Sequence, residues 1–369
     1  MSTAHKFPAP KFPIGTSDFK EVIQNQFTYV DKTVFIHEIM EDSSKVILVT
    51  RPRRFGKTLN MSMLYHFLNI GGADLFGGLL IQEHAAFCTK HQNKYPVVFL
   101  TFKEIKFDDF PTAYSGIKGL FASLYETFKY LLEGDLLSVF EKENFDKIRG
   151  KKVDDFSELG AALSNLMKYL HKHHGTQPIL LLDEYDTPIQ EAYIQGYYDK
   201  IISFMRVLLG SALKDNSDLG KAIITGITKV SQESMFSGLN NIESYSVLDG
   251  KYGQYFGFTE DEVISLLPPE IKIEPIRKWY NGYQIGPWKI YNPWSILSCL
   301  KRNGALDAYW KNTSTNALIF KLAKDAGPEF REKLEKLVRD IPQPQIIETG
   351  MTFAYLDKNT NAIWTLLLV

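Results

Sequence analysis

The segment ILVTRPRRFGKTLNMSML, residues 47–64, constrains this chain more than any other. The run VILVT (46–50) is short, apolar and β-branched, which suits a buried parallel strand. The run LNMSMLYHFLNI (59–70) has helical spacing, with Leu59, Met63, Phe67 and Ile70 on one side. Between them lies RPRRFGKT. A strand, a tight loop and a helix opening at Gly-Lys-Thr form the context of a phosphate-binding loop. The helix N-terminus offers N–H groups and a positive dipole end to an anion. Gly56 admits close backbone approach, Lys57 would reach the β and γ phosphates, and Thr58 would place its hydroxyl on Mg²⁺.

One position departs from the usual G-x-x-x-x-G-K-[ST] pattern. Six residues before Lys57, where glycine normally opens the loop, stands Arg51. Pro52 pushes Arg51 toward an extended conformation. Arg51, Arg53 and Arg54 place three cations in four residues. The alternative is a basic strand–helix turn that binds nothing. On the phosphate reading, the candidate nucleotide segment is Arg51, Pro52, Arg53, Arg54, Phe55, Gly56, Lys57 and Thr58.

A working phosphate loop needs an acid at the end of another buried strand to organise Mg²⁺. QPILLLDEYDTPI (177–189) supplies one, because Ile179 to Leu182 run directly into Asp183 and Glu184. Ionised carboxylates are rarely buried without partners, so two acids at a strand end invite a functional reading. Asp183 would hold the magnesium shell through water. Glu184, on the other face of the strand end, would polarise an attacking water. The plainer reading is a strand stop followed by an Asp-containing turn.

The remaining pattern alternates strands and helices. YPVVFLTF (95–102) and KAIITGIT (221–228) read as further strands, and 110–132, 155–173 and 197–216 read as helices. This order implies an α/β fold of the P-loop NTPase type with an open parallel sheet. Ligands sit beyond the carboxyl ends of such strands, which places Thr228 and Lys229 near a γ-phosphate. The charged run 141–156 reads as a solvated loop or helix face. The histidines of HKHH (171–174) read as an exposed helix end. Beyond residue 250, FGFTEDEVISLL (256–267) is a helix capped by Thr259 and Glu262. Residues 276–300 read as helix, hairpin and helix, with a Gly-Pro turn, Asn292 as cap and Pro293 at the first helical position. The aromatic residues Trp279, Tyr280, Tyr283, Trp288, Tyr291 and Trp294 suit a small hydrophobic core, or bases to stack on. The apolar end NAIWTLLLV (361–369) is expected to pair as a strand with Phe353–Leu356.

Composition narrows the classes. At 369 residues two domains fit, and 43 acids against 42 bases leave no global field to recruit nucleic acid. Two distant cysteines, Cys88 and Cys299, have no metal spacing and point to a reducing compartment. No run approaches the ~18 apolar residues of a membrane span, so the expectation is a cytoplasmic protein without a membrane partner.

The chain resembles the predicted AAA-ATPase-like family of bacteria and archaea, whose members often carry a C-terminal PD-(D/E)xK nuclease-like domain. The resemblance rests on FPIGTSDFKEVIQNQFTYVDKT (12–33), RPRRFGKTLNMSML (51–64), YPVVFLTFKEI (95–105), LLLDEYDTPI (181–190), MRVLLGSALKDN (205–216), ITGITKVSQESMFSGLNNI (224–242) and WYNGYQIGPWKIYNPWSIL (279–297). In that family, arginine at the opening glycine is a familiar variant, so the resemblance makes Arg51 a family feature. It further implies that Tyr29 and Asp31 close over the base, the alternative being plain packing against the sheet, and that Arg206 contacts phosphate in trans or pairs with an acid. It implies an AAA-like ATPase domain over 1–250 and a winged-helix-like lid over 251–340. It makes 341–369 an apolar segment at the truncated start of a further domain, and puts the nuclease-like domain itself beyond residue 369. ATP with Mg²⁺ is then the expected ligand. A protein partner, a second copy or nucleic acid remains open, as does a nucleotide switch with little turnover.

Overall fold

The computed structural model describes residues 10–228, 241–280, 282–310, 317–339, 341–345 and 363–366. Five strands form one sheet: β1 (Val46–Thr50), β2 (Val97–Thr101), β3 (Ile179–Asp183), β4 (Lys221–Gly226) and β5 (Ile242–Tyr245). Their order is β2-β3-β4-β1-β5, and every neighbouring pair is parallel. The open parallel α/β sheet is therefore as the sequence implies. β4 lies between the strand that enters the phosphate-type loop and the strand that ends in Asp183.

The residues of β1, β3 and β4 are buried throughout, which explains their near-continuous apolar runs. Leu48, Leu182 and Ile224 share one core with Ile117 and Phe121 of the helix Phe110–Thr127, Leu166 of Ala162–His174 and Leu208 of Tyr198–Leu213. Truncating such a side chain to alanine typically costs about 2–5 kcal/mol. The helices start where capping chemistry allows. Asp109 accepts from Thr112 N–H at 2.8 Å ahead of Pro111. The charged run contains a helix, Val139–Arg149, opened by a capping box of Ser138 and Glu141.

Three local expectations are corrected. Ile70 lies beyond its helix, which ends at Leu68, and is exposed. The histidines at 171, 173 and 174 are half-buried, with His171 on Asp218 and His174 on Tyr130. Residues 363–366 are helical, not extended. Ile363, Trp364 and Leu366 are buried in the main core, and Trp364 packs on Phe330 at 4.7 Å between ring centroids. Apolar contact rather than strand pairing satisfies them. Phe353–Leu356 lies outside the described residues.

The chain divides into two compact units that interleave in sequence. The sheet unit comprises Ser44–Pro52, Tyr95–Ser246 and Thr315–Val369; the other comprises Met1–Ser43, Arg53–Lys94 and Val247–Ser314. The second unit holds the helices Val34–Glu41 and Lys57–Leu68. It also holds an antiparallel sheet of β6 (Phe258–Thr259), β7 (Tyr283–Ile285) and β8 (Trp288–Tyr291), in the order β6-β8-β7. Helices Glu260–Leu266, Ile273–Trp279 and Pro293–Lys301 accompany it, with the expected Thr259–Glu262 capping box and Asn292 cap. The hairpin turns at Gly286, whose φ of 56° suits glycine. Tyr280 and Tyr291 join Val263, Ile276, Ile296 and Leu300 in a small core, whereas Trp279 and Trp288 are exposed. Among the described residues, no helix is long and apolar enough to cross a membrane.

Candidate functional site

Because all five strands run the same way, their carboxyl ends share one edge of the sheet. Asp183, the last residue of β3, is fully buried there. Thr225 of β4 donates to its Oδ1 at 2.7 Å, and Thr101 of β2 donates to its Oδ2 at 3.3 Å. Both hydroxyls come from the strands on either side, so the pairing register sets the carboxylate's orientation. Hydroxyls on both oxygens thus fix the direction of the carboxylate.

Glu184 follows with φ at 51°, in the left-handed region that a side chain seldom adopts. It is half-buried, and Thr187 donates to its Oε2 at 3.3 Å. The left-handed residue turns the chain so that Tyr185 N–H still reaches Thr225 O at 3.1 Å. Strain of this kind, of order 1–3 kcal/mol, persists where the surroundings over-determine it.

Sequence reasoning missed Asp186. It stands at the N-cap position of the helix Thr187–Gln195, yet its side chain makes no cap bond. Its Oδ2 instead accepts from Ile227 N–H at 3.0 Å and from both Thr228 N–H and Thr228 Oγ1 at 2.9 Å. Tyr185 Oη adds a bond to Thr228 O at 2.9 Å. Thr228, expected near a γ-phosphate, is buried with its hydroxyl turned onto Asp186. The signal was present as a third acid in DEYD, but its partner lies 41 residues away. Lys229 lies outside the described residues.

Arg51 is the largest fully buried side chain among the described residues. Its backbone N–H extends the β1–β4 pairing to Gly226 O at 3.1 Å. Its Nη1 donates to Thr50 O at 2.8 Å and Tyr245 O at 3.0 Å. The arginine at the opening-glycine position thus ties the ends of β1 and β5 together. Pro52 is buried beside it in sequence.

From Arg53 onward the loop belongs to the second unit. Arg54 has φ at 70°, and its guanidinium lies 3.9 Å from the centroid of Trp294. A cation–π contact of this kind contributes about 0.5–1 kcal/mol or more, which offsets part of the backbone strain. Arg53 O accepts from Asn292 Nδ2 at 3.5 Å. Phe55 is buried edge-on to Tyr283, at 5.2 Å between centroids. Gly56, at φ 81°, caps the helix Lys57–Leu68 without a side chain. A Cβ there would meet nothing within 4 Å, so backbone conformation rather than space calls for glycine. Lys57 is buried and Thr58 half-buried in the first turn.

Tyr29 and Asp31 have structural work. Tyr29 Oη donates to Met63 Sδ at 3.3 Å, and burial raises its pKa. Asp31 accepts from Thr33 N–H at 2.8 Å, Thr33 Oγ1 at 2.6 Å and Leu80 N–H at 2.8 Å. These bonds set the entry of the helix Val34–Glu41. Arg206 sits on the exposed side of Tyr198–Leu213.

A family model described as Predicted AAA-ATPase matches residues 13–236. The uncharacterized protein in vnfD 5′region of Azotobacter chroococcum mcd 1 is 29% identical over 333 residues, which are 89% of this chain and 58% of that protein. Among solved structures, a Walker-type ATPase of Pyrococcus abyssi aligns with a TM-score of 0.38 and 14% identity, over 90% of this chain and 79% of that chain. With well over half of its length matched by the family model, the chain belongs to the predicted AAA-ATPase family, and that membership supports ATPase-like nucleotide binding.

Proposed function

We propose that the chain binds Mg²⁺-ATP through residues 51–58 and hydrolyses the β–γ phosphate bond by in-line attack of water. The observation that carries this reading is the loop itself. A buried strand leads through Arg51–Phe55 to a left-handed Gly56, and Lys57 and Thr58 open the helix. Burial, and then Arg53 beside it, lower the pKa of Arg54, so the loop concentrates cations whose repulsion an anion relieves.

In this reading the loop N–H groups and Lys57 bind the phosphates, with Arg53 and Arg54 adding positive charge. Arg51 holds the ends of β1 and β5 together. Thr58 and Asp183 are the residues that would hold Mg²⁺, which when bound supplies positive charge at the phosphate oxygens. Glu184 orients the water and takes its proton. Thr228 follows β4 at the carboxyl edge of the sheet, Lys229 would add its cation at the γ-phosphate, and Arg206 would offer its cation to a second copy. Residues 251–340 serve as a winged-helix-like lid. Tyr29 and Asp31 act on the base only indirectly, through the segment they brace.

The test is calorimetric ATP titration with Mg²⁺, paired with phosphate release. Lys57→Ala should abolish or greatly weaken binding. Glu184→Gln should keep ATP bound and lose ~10²–10⁴-fold in turnover. Undiminished affinity in a folded Lys57→Ala protein would refute the site. Binding without turnover, even with DNA, RNA or a candidate protein added, would leave a nucleotide switch in place of a hydrolase.

A further inference from the structure

We infer that Asp186 is a positioning residue that locks the turn carrying Glu184 to the exit of β4, so that the two respond to a bound phosphate as one body. The inference rests on the nucleotide reading above and deepens it.

The geometry is unusual for a helix-start aspartate. Asp186 is only 1% exposed, and its Oδ2 takes four donors: Ile227 N–H, Thr228 N–H, Thr228 Oγ1 and Gln190 Nε2. Only an acceptor can sit among four donors, and an ionised one holds them most strongly. The other oxygen, Oδ1, has no hydrogen-bond partner among the described residues. It lies against Gly226, where a Cβ would come within 2.7 Å. Gly226 is therefore needed for the carboxylate's close approach to the β4 exit. A helix could be capped far more simply by serine or asparagine. The side chain is spent on β4 instead.

The lock has two ends. At one, Thr228 is held by its N–H, its hydroxyl and, through Tyr185 Oη, its carbonyl. At the other, Glu184 sits two residues before Asp186, in a left-handed turn closed by Thr187 N–H to Glu184 O at 3.1 Å. A displacement of residues 226–228 must therefore be transmitted to the Glu184 carboxylate. The phosphate-gripping residues 53–58 are not part of the lock. Disturbing it should therefore affect turnover more than binding.

The experiment uses the full chain with Asp186→Asn, Thr228→Val and Thr228→Ser. The first two should lower kcat ~10–100-fold, as misplacement of a catalytic group does, while KM and the calorimetric Kd for ATP stay near wild type. Thr228→Ser keeps the hydroxyl and should recover most of the rate. Hydrogen exchange gives a readout independent of turnover. Asp186→Asn should speed exchange at 184–187 and 226–228 together, and ATP should protect both segments together in the wild type. Faster exchange at 226–228 alone, or wild-type kcat in both Asp186→Asn and Thr228→Val, overturns the coupling. Parallel loss of Kd and thermal stability with kcat intact reduces Asp186 to a structural residue and overturns it equally. Full ATP affinity in Lys57→Ala would instead sink the nucleotide reading, so the two failures are distinguishable.

Discussion

Thr225 on β4 donates its hydroxyl hydrogen to Asp183 on β3 at 2.7 Å, and both residues are buried. The bond crosses a parallel strand pair at the edge where ligands of open α/β sheets bind. The carboxylate is thus aimed by rigid strands rather than by a loop. Such support is what a metal-organising acid requires, since its orientation must not depend on the ligand being present.

Thr225→Val keeps the shape and removes the donor. A buried acceptor that loses its partner costs about 1–3 kcal/mol, which urea unfolding will measure. On the proposed function, the Mg²⁺ needed for half-maximal ATP binding should rise ~10-fold, as for other outer-sphere partners of a metal site. Unchanged stability together with an unchanged Mg²⁺ requirement would show that the hydroxyl does not support Asp183.

Arg51 makes a second prediction, about the join of β1 and β5. Arg51→Met retains an apolar stem but deprives the Thr50 and Tyr245 carbonyls of a charged donor. The loss should be about 2–3 kcal/mol, with hydrogen exchange in Ile242–Tyr245 accelerated more than in β3. Arg51→Lys should fall between, because an ammonium cannot reproduce the planar fork. Arg51→Gly restores the usual loop residue yet should be the least stable of the three. A glycine variant as stable as wild type would contradict the staple.

Much of this was legible because the deciding signals are local. The apolar run into Gly56-Lys57-Thr58, the run into Asp183-Glu184, and the Thr259 and Asn292 caps each lie within a few residues of the structure they specify. β5 was not legible. Its residues Ile242–Tyr245 are exposed or only half-buried, and among the described residues it is an edge strand that pairs with β1 alone. The inward turn of Arg51 was hidden because its acceptor comes from residue 245, far along the chain. The bonds of Asp186 were hidden for the same reason, since its donors come from residues 227 and 228. A side chain's local pattern says where it could bond, and the fold decides which long-range donors arrive first. The helical form of residues 363–366 depends likewise on a core assembled from distant segments.

Glu141 gives the stability an acid-sensitive component. The Lys172 ammonium at 2.9 Å, with Ser138 N–H and Lys168, pulls its pKa down from 4.5 to about 2 despite partial burial. A depressed folded-state pKa contributes stability that is fully present above the unfolded value. It is lost as pH falls from about 4.5 toward 2. Glu141→Gln should therefore melt below wild type at pH 7, with the gap closing through that window. A gap independent of pH would assign the loss to the capping box rather than to the charge.

The last prediction concerns Lys32 and Glu262, whose ion pair is asymmetric. Lys32 Nζ donates to Glu262 Oε1 and, at 2.6 Å, to Gln254 O. The lysine side chain is 8% exposed and the glutamate 26%. Glu262 Oε2 also accepts from Thr259 N–H at 2.7 Å, so it keeps a partner and some water if the lysine goes. Lys32 without Glu262 keeps a buried charge with the Gln254 carbonyl and the field of the Asp31 carboxylate as compensation. Breaking a buried pair is worst when it strands the less solvated charge, at about 3–5 kcal/mol. Glu262→Gln should accordingly destabilise more than Lys32→Met at pH 7. The sign with pH follows from the lysine. Burial lowers its pKa below the ordinary 10.5, and the glutamate opposes that shift. In Glu262→Gln the folded state resists the proton that the unfolded state still binds. Stability should therefore rise with pH until about 10.5, and the deficit against wild type should narrow over that range. Equal losses from the two substitutions, with parallel pH profiles, would show that the pair acts through packing alone.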